Sequence, residues 1–129
     1  MLFRCHGLIA ATQTMRGHAQ LAQGRTTDAQ KTLQIAMDCW RIEYGPNSPG
    51  YAMARASLGR TWALQGKFSD AETALIESYP IIVKSTRRPD REAASMVKLW
   101  IESLYQSMGH PETAHKYFAQ FDTAPRRQQ

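Results

Sequence analysis

The chain repeats itself at a spacing of 42 to 43 residues, and this self-similarity restricts its possible folds more than any other feature. A glycine five residues before an alanine occurs three times, at Gly24 and Ala29, Gly66 and Ala71, and Gly109 and Ala114. Repeats of this length are typical of solenoids, in which each unit buries its apolar face by stacking on its neighbours. We therefore predict one fold built from three copies of the same supersecondary unit.

Each unit has the pattern of two helices that meet near the glycine. Before Gly66, Leu58 and Trp62 are four residues apart, which is the spacing of one buried helix face. Glycine ends a helix readily because it adopts the left-handed conformation. The small alanine that follows suits a close crossing of two helix axes. We predict an all-α fold, an α-solenoid of three stacked antiparallel helix pairs, with helices over residues 6–23, 26–44, 50–65, 68–84, 90–108 and 111–121.

Pro80 conflicts with this pattern, because it lies inside the predicted fourth helix. A proline there removes one backbone hydrogen bond and crowds the carbonyl four residues before it. The helix must either kink or stop early, with residues 81–83 forming a separate turn. We predict a kink, since Ile82 keeps the spacing of the buried face.

The composition is that of a globular protein and excludes a disordered chain. Of 129 residues, 43% are hydrophobic and 21% charged. No apolar run approaches the roughly 20 residues that a membrane span requires. We therefore expect no membrane partner. The net charge of +5 is concentrated in residues 1–27, in residues 84–91 and at the C-terminal end. A phosphate-binding face needs basic side chains repeated along one surface, which this sequence lacks, so nucleic-acid binding is a weaker hypothesis than protein binding.

Two cysteines, Cys5 and Cys39, are too few and too far apart to form a zinc motif or a disulfide framework. We therefore expect reduced thiols and a cytoplasmic location. Residues 1–20 contain Arg4 and Arg16 and no acid, which is a weak resemblance to a transit peptide. The interpretation that we favour is a first helix or cap of the domain.

Fragments that resemble catalytic or metal motifs fail on their spacing. Gly59 and Gly66-Lys67 resemble a phosphate-binding loop, but six residues separate the glycines and no strand precedes them. His110 and His115 are five residues apart and face different sides of a helix, which does not suit a metal pair. We predict no enzyme activity, no metal site and no cofactor.

The second repeat resembles the tetratricopeptide-repeat family. The residues that carry the resemblance are Leu58-Gly59, Trp62, Gly66, Ala71 and Leu75. The 42-residue period and the proline-rich linker over residues 44–50 resemble the longer subtype found in kinesin light chains. The resemblance covers about residues 8–121, and it is poor in the first repeat, where Arg16 and Gln20 occupy the hydrophobic and aromatic positions. It implies a right-handed stack of helix pairs that serves as a protein-binding scaffold.

The resemblance also implies the domain organisation and the position of a binding surface. We predict one domain over residues 1–121, with repeats at about 6–48, 49–88 and 89–121, and a polar tail over 122–129. In this family, the side of each first helix that faces away from the core lines a concave groove. The corresponding residues here are Met53, Ala56, Arg60 and Leu64 of the third helix, Met96, Leu99 and Ser103 of the fifth, and His18 of the first. The alternative for Met53 and Met96 is ordinary packing between neighbouring helices.

Binding is the function class that remains. The first hypothesis is an interaction module that holds a peptide or a partner helix in the groove, where Arg60 would favour an acidic group. The second is a structural or self-associating end segment of a longer repeat array. The third, and weakest, is nucleic-acid binding through the basic loops. For the second hypothesis we expect partly exposed apolar residues at both ends, namely Phe3, Leu8 and Ile9 at one and Tyr117 and Phe121 at the other.

Overall fold

A computed structural model describes residue 5 and residues 7–122, and within them the fold consists of six helices without a strand. Each described helix end lies within two residues of its predicted position, so the all-α prediction is confirmed. The helices are α1 (Gly7–Ala22), α2 (Thr26–Tyr44), α3 (Pro49–Leu64), α4 (Phe68–Val83), α5 (Arg88–Ser107) and α6 (Pro111–Asp122).

Local chemistry explains where the helices begin and end. Gly24, Gly66 and Gly109 have φ angles of 75°, 79° and 80°, the left-handed conformation that the repeat pattern predicts. At the start of α3, the Ser48 hydroxyl accepts a hydrogen bond from the backbone N–H of Tyr51 at 3.2 Å. Pro49 follows as the first helical residue, where a missing N–H costs nothing.

The helices stack as consecutive antiparallel pairs. In the first pair, Gly17 of α1 packs closely against Leu33 of α2, and Thr14 contacts Trp40, so the two helices run in opposite directions. Each helix packs against the next along the chain, and α3 also contacts both α1 and α5. The first helices of the three pairs therefore lie side by side and form one surface of the solenoid, as predicted.

Small residues allow these close contacts. The repeated alanines Ala29, Ala71 and Ala114 are buried between helices. A side chain at Gly59 would meet the Ala74 and Leu75 side chains at 3.0 Å, so α3 and α4 approach as closely as glycine permits. Large apolar side chains of α2, α3, α4 and α5 fill the remaining interior, including the fully buried Leu33, Leu58, Leu75, Ile82, Val97, Ile101 and Leu104.

Helix α4 continues through Pro80 to Val83, which excludes the early stop. Proline has no N–H to donate to the carbonyl of Ile76, four residues earlier. That carbonyl instead accepts a hydrogen bond from the Tyr117 hydroxyl of α6 at 2.9 Å. Burial raises the pKa of Tyr117 to about 12, and Tyr79 adds a smaller effect in the same direction. A side chain from another helix thus satisfies the polar group that the proline leaves free.

The first repeat has the expected irregular composition, and the structure shows its effect. Arg16 is exposed, whereas Gln20 is buried at 6% exposure. The Gln20 side-chain oxygen Oε1 has no hydrogen-bond partner among the described residues. The aromatic position of the repeat is therefore occupied here by a buried amide that is incompletely satisfied.

Cys5 and Cys39 form a disulfide, so the expectation of two reduced thiols is wrong for this structure. Their Cα atoms are 4.9 Å apart, within the range that a disulfide requires. The pairing depends on the contact between the start of α1 and the second half of α2. A separation of 34 residues in the sequence gives no local sign of that contact.

The ends of the solenoid differ in how much apolar surface they expose. Leu8 is 73% exposed, whereas Ile9, Tyr117 and Phe121 are partly buried. Phe3 and residues 123–129 of the predicted tail lie outside the described residues. None of the helices described combines the length and the apolar character that crossing a bilayer requires.

Candidate functional site

The surface formed by α1, α3 and α5, here called the groove, contains two adjoining cavities. The larger has a volume of about 660 Å³ and lies between α1, the start of α3 and the turn that precedes α5. The smaller, of about 290 Å³, lies between α1, α3 and α5. The larger volume is within the usual range of ligand pockets, and the smaller lies at its lower limit.

His18 lies between the two cavities and lines both. Its Nε2 atom is 2.6 Å from the hydroxyl oxygen of Ser57, which has no exposed surface. This hydrogen bond joins α1 to α3 across the floor of the groove. Burial lowers the pKa of His18 below the ordinary value of 6.5, so the ring is neutral at pH 7.

The smaller cavity brings one cation together with apolar side chains. Arg60 of α3 is half-buried there, beside Leu64, Met96 and Trp100. It forms no hydrogen bond or ion pair with any described residue, whereas Arg55, five residues earlier, is 2.7 Å from Glu77. Leu64 is 50% exposed and Met96 is 37% exposed. These side chains add little to the core and remain available for a ligand.

The larger cavity is lined mainly by apolar and aromatic groups. Trp40 donates its indole N–H to the Thr14 hydroxyl at 3.0 Å, and the Tyr44 ring centroid is 5.2 Å from that of Trp40. Met15 is 72% exposed beside them, and Met53 forms part of the opposite wall. The cavity therefore offers flexible and aromatic surface for apolar contact.

A charged pair lies at the edge of the larger cavity. Arg87 is largely exposed, and its Nε is 3.8 Å from a carboxylate oxygen of Asp90. The same Asp90 oxygen accepts a hydrogen bond from the Ser85 hydroxyl at 2.6 Å. Asp90, in the first turn of α5, therefore interacts mainly with the turn that precedes this helix, and Arg87 is the exposed charge at this edge.

The structure brings most of the predicted groove residues together. His18 and Met53 line the larger cavity, and His18, Arg60, Leu64 and Met96 line the smaller. The prediction for Ala56 is wrong, because this residue is fully buried in the core and does not belong to the groove surface. Leu99 and Ser103 are exposed on α5 but line neither cavity.

Sequence reasoning missed several lining residues, in particular Trp40, Tyr44, Arg87 and Trp100. Trp40 and Tyr44 belong to α2, a second helix of a pair, and Arg87 precedes α5. Their positions at the groove depend on how neighbouring pairs stack, which helical periodicity does not specify. Trp100 is next to the predicted Leu99 in the sequence, but it lies about 100° further around the helix, on a side that the prediction did not include.

The chemistry of the groove is that of non-covalent binding. It combines apolar side chains, one unpaired arginine and a neutral histidine that contacts a buried serine. Across the described residues, no three His, Cys, Asp or Glu side chains lie close enough together to hold a metal ion.

Comparison with known proteins agrees with this architecture. The family model for the tetratricopeptide repeat matches residues 8–82, and no curated protein matches the chain significantly. Tetratricopeptide repeats generally mediate protein–protein interaction and are not catalytic. The match spans more than half of the sequence and includes the first two helix pairs, so the chain belongs to the tetratricopeptide-repeat family.

Proposed function

We propose that the chain is a non-catalytic interaction module that holds a peptide or a helix of a partner protein in the groove. The observation that carries the proposal is Arg60, a half-buried arginine without a partner among the described residues. Partial burial of an arginine removes some of its hydration, which costs free energy when no ion pair forms in its place. A bound acidic group would offset this cost by forming a charge-assisted hydrogen bond.

The ligand that suits this surface has an acidic group beside apolar side chains. Leu64 and Met96, next to Arg60, offer exposed apolar contact. Methionine adapts its shape to different partners, which suits a binding surface more than a rigid core. The groove residues of the proposal are therefore His18, Met53, Arg60, Leu64 and Met96, with Leu99 and Ser103 as contacts for a ligand that extends along α5.

The proposal extends to domain organisation, subtype and location. Residues 89–121 form a third repeat beyond the matched range, with its own buried Ala114 and Phe118. One domain then covers residues 1–121, and the 42-residue period suits the kinesin-light-chain-like subtype. A cytoplasmic location, without cofactor or metal, completes the proposal.

A displayed library of random peptides, selected against the full chain, tests the proposed function. We expect selected peptides to contain Asp or Glu beside apolar residues. We expect Arg60→Ala to weaken their binding by about tenfold to 150-fold, which corresponds to the roughly 1.5–3 kcal/mol of a hydrogen bond to a charged group. The thermal midpoint should hardly change, because a partly exposed arginine without an ion pair contributes little to stability.

Arg16→Ala is the matched control, because Arg16 is exposed on α1 and lines neither cavity. Selected peptides should bind this variant as they bind the unchanged chain. Equal binding to Arg60→Ala would show that the groove is not the binding surface. The same conclusion would follow if an NMR titration with a selected peptide shifted backbone amide signals of α4 and α6 only, since neither helix lines a groove cavity.

A second candidate function is self-association or stacking within a longer array. Ile35 and Ile42 of α2 are 40% and 65% exposed, and Leu8 of α1 is 73% exposed. Apolar side chains exposed on the first helix pair are typical of a contact surface. Light scattering tests this candidate, since Ile42→Lys should lower the molar mass of any oligomer that uses α2.

A further inference from the structure

The disulfide joins the start of α1 to α2 beside the groove. Cys5 comes two residues before α1 begins, and Cys39 lies in the second half of α2. Cys39 has no exposed surface, whereas Cys5 is partly exposed. The bond thus attaches one end of α1 to a buried point of the neighbouring helix.

Few buried side chains attach the first two turns of α1. Of residues 8–13, Ala10 alone is fully buried, and its side chain is a single methyl group, whereas Ile9, Ala11 and Gln13 are partly buried. The side-chain contacts that fix α1 begin one turn later, where Thr14 accepts a hydrogen bond from Trp40 and His18 contacts Ser57. A helix end with so few buried contacts opens locally at low free energy unless it is tied down.

The same helix forms a wall of the larger cavity. Ala11, Thr14, Met15 and His18 all line it. We propose that the Cys5–Cys39 disulfide is a redox-sensitive tie: the oxidised form holds the α1 wall in place, and reduction loosens that wall and weakens ligand binding. The part that concerns ligand binding rests on the proposed function of the groove.

The exposure of the two cysteines indicates how a dithiol reductant would act. A reductant thiolate attacks the sulfur of Cys5, because Cys39 is inaccessible. The Cys5–Cys39 bond breaks, a mixed disulfide forms at Cys5, and Cys39 leaves as a thiolate and takes up a proton. The second reductant thiol then displaces Cys5, so that the chain gains two electrons and two protons while the dithiol becomes a disulfide. In a reducing cytoplasm the tie is open, and oxidation closes it.

Amide hydrogen exchange of the full chain, with and without dithiothreitol, tests the tie. We expect reduction to accelerate exchange in residues 8–14 by about tenfold or more, because the cross-link no longer restricts the open state. Exchange in α4, α5 and α6 should stay the same. Cys5→Ser is the matched control, and its exchange over residues 8–14 should be fast with or without dithiothreitol.

Two results would overturn the proposal that the disulfide holds the start of α1 in place. One is equal protection of residues 8–14 in the oxidised and reduced chain. The other is modification of both cysteines by iodoacetamide in the air-oxidised, unfolded chain without reductant, which would show that the bond does not form.

Ligand binding separates the redox tie from the proposed function. A selected peptide that depends on Arg60 should bind the reduced chain at least about threefold more weakly than the oxidised chain, if opening of α1 competes with binding. Equal affinity would overturn redox control of the groove and leave the proposed function intact. If no selected peptide depends on Arg60, the proposed function fails, and the exchange comparison alone decides whether the tie exists.

Discussion

The first and second helix pairs have the same backbone design but different side chains at equivalent positions. The second pair has Leu58 and Trp62, whereas the first has Arg16 and Gln20, 42 residues earlier. Leu58 has no exposed surface, and Arg16 is exposed. The two pairs nevertheless end their first helices at similar glycines and bury the same alanine, Ala29 or Ala71.

The difference shows that the helix pair depends more on its glycine and alanine than on a complete apolar stripe. Other interactions compensate in the first pair. Within the pair, Trp40 donates a hydrogen bond to Thr14 and a disulfide joins Cys5 to Cys39, while His18 links α1 to Ser57 of α3. Polar and covalent links thus supplement the packing of the first pair.

Truncating the equivalent side chains gives the largest contrast. Leu58→Ala should lower the free energy of unfolding by about 2–5 kcal/mol, because it leaves a cavity in a closely packed interior. Arg16→Ala should change it by less than about 0.5 kcal/mol, since the side chain is exposed. Urea denaturation of both variants measures the difference. Similar losses for the two would mean that Arg16 packs as a core residue.

A smaller effect on stability is expected at Gln20 of the first pair, whose buried side-chain oxygen lacks a hydrogen-bond partner among the described residues. Gln20→Leu should raise the free energy of unfolding by about 1 kcal/mol, because it removes a buried oxygen that lacks a partner. Gln23→Leu is the control, since Gln23 follows the same helix, and its exposed hydrogen bond from Arg25 contributes little to stability. A loss of stability in Gln20→Leu would show that the amide makes a favourable contact, for example through water.

The smallest effect is a pH dependence that belongs to His18. The folded chain holds this histidine neutral, so below pH 6.5 the unfolded chain takes up a proton before the folded chain does. Stability should therefore fall as the pH drops below that value, and His18→Gln should reduce the slope. Thermal melts between pH 7.5 and 5, the ordinary range of histidine titration, measure it. An unchanged slope in His18→Gln would contradict the assignment.

Most of the fold could be predicted from the sequence because local signals repeat. The glycines that end α1, α3 and α5 recur at the same spacing, and the apolar residues before them keep one helical face. Pro80 is the instructive exception. Its position predicts a defect, but only the packing of α6 on α4 shows that Tyr117 supplies the missing donor.

The groove could be predicted only in part. Periodicity identifies which side of α3 faces away from the core, and Arg60 and Leu64 lie on that side. It also predicts that Ala56 lies on that side, and this is wrong. Ala56 is fully buried, because its small side chain fits between closely packed helices. Trp40, Arg87 and the Cys5–Cys39 bond depend on contacts between distant segments, for which the sequence has no local pattern.

The Ile76 carbonyl that Pro80 leaves free helps to fix the position of α6 along α4. Aromatic packing of Tyr79 against Phe118 and Phe121, with ring centroids 5.3 and 5.0 Å apart, holds α6 against α4. A shift of α6 by one turn, roughly 5.4 Å, would move the Tyr117 hydroxyl out of reach of the Ile76 carbonyl. The orphaned carbonyl would then cost about 1–3 kcal/mol. A residue known for disrupting helices thus favours one register of a different helix, the one in which the Tyr117 hydroxyl reaches the free carbonyl.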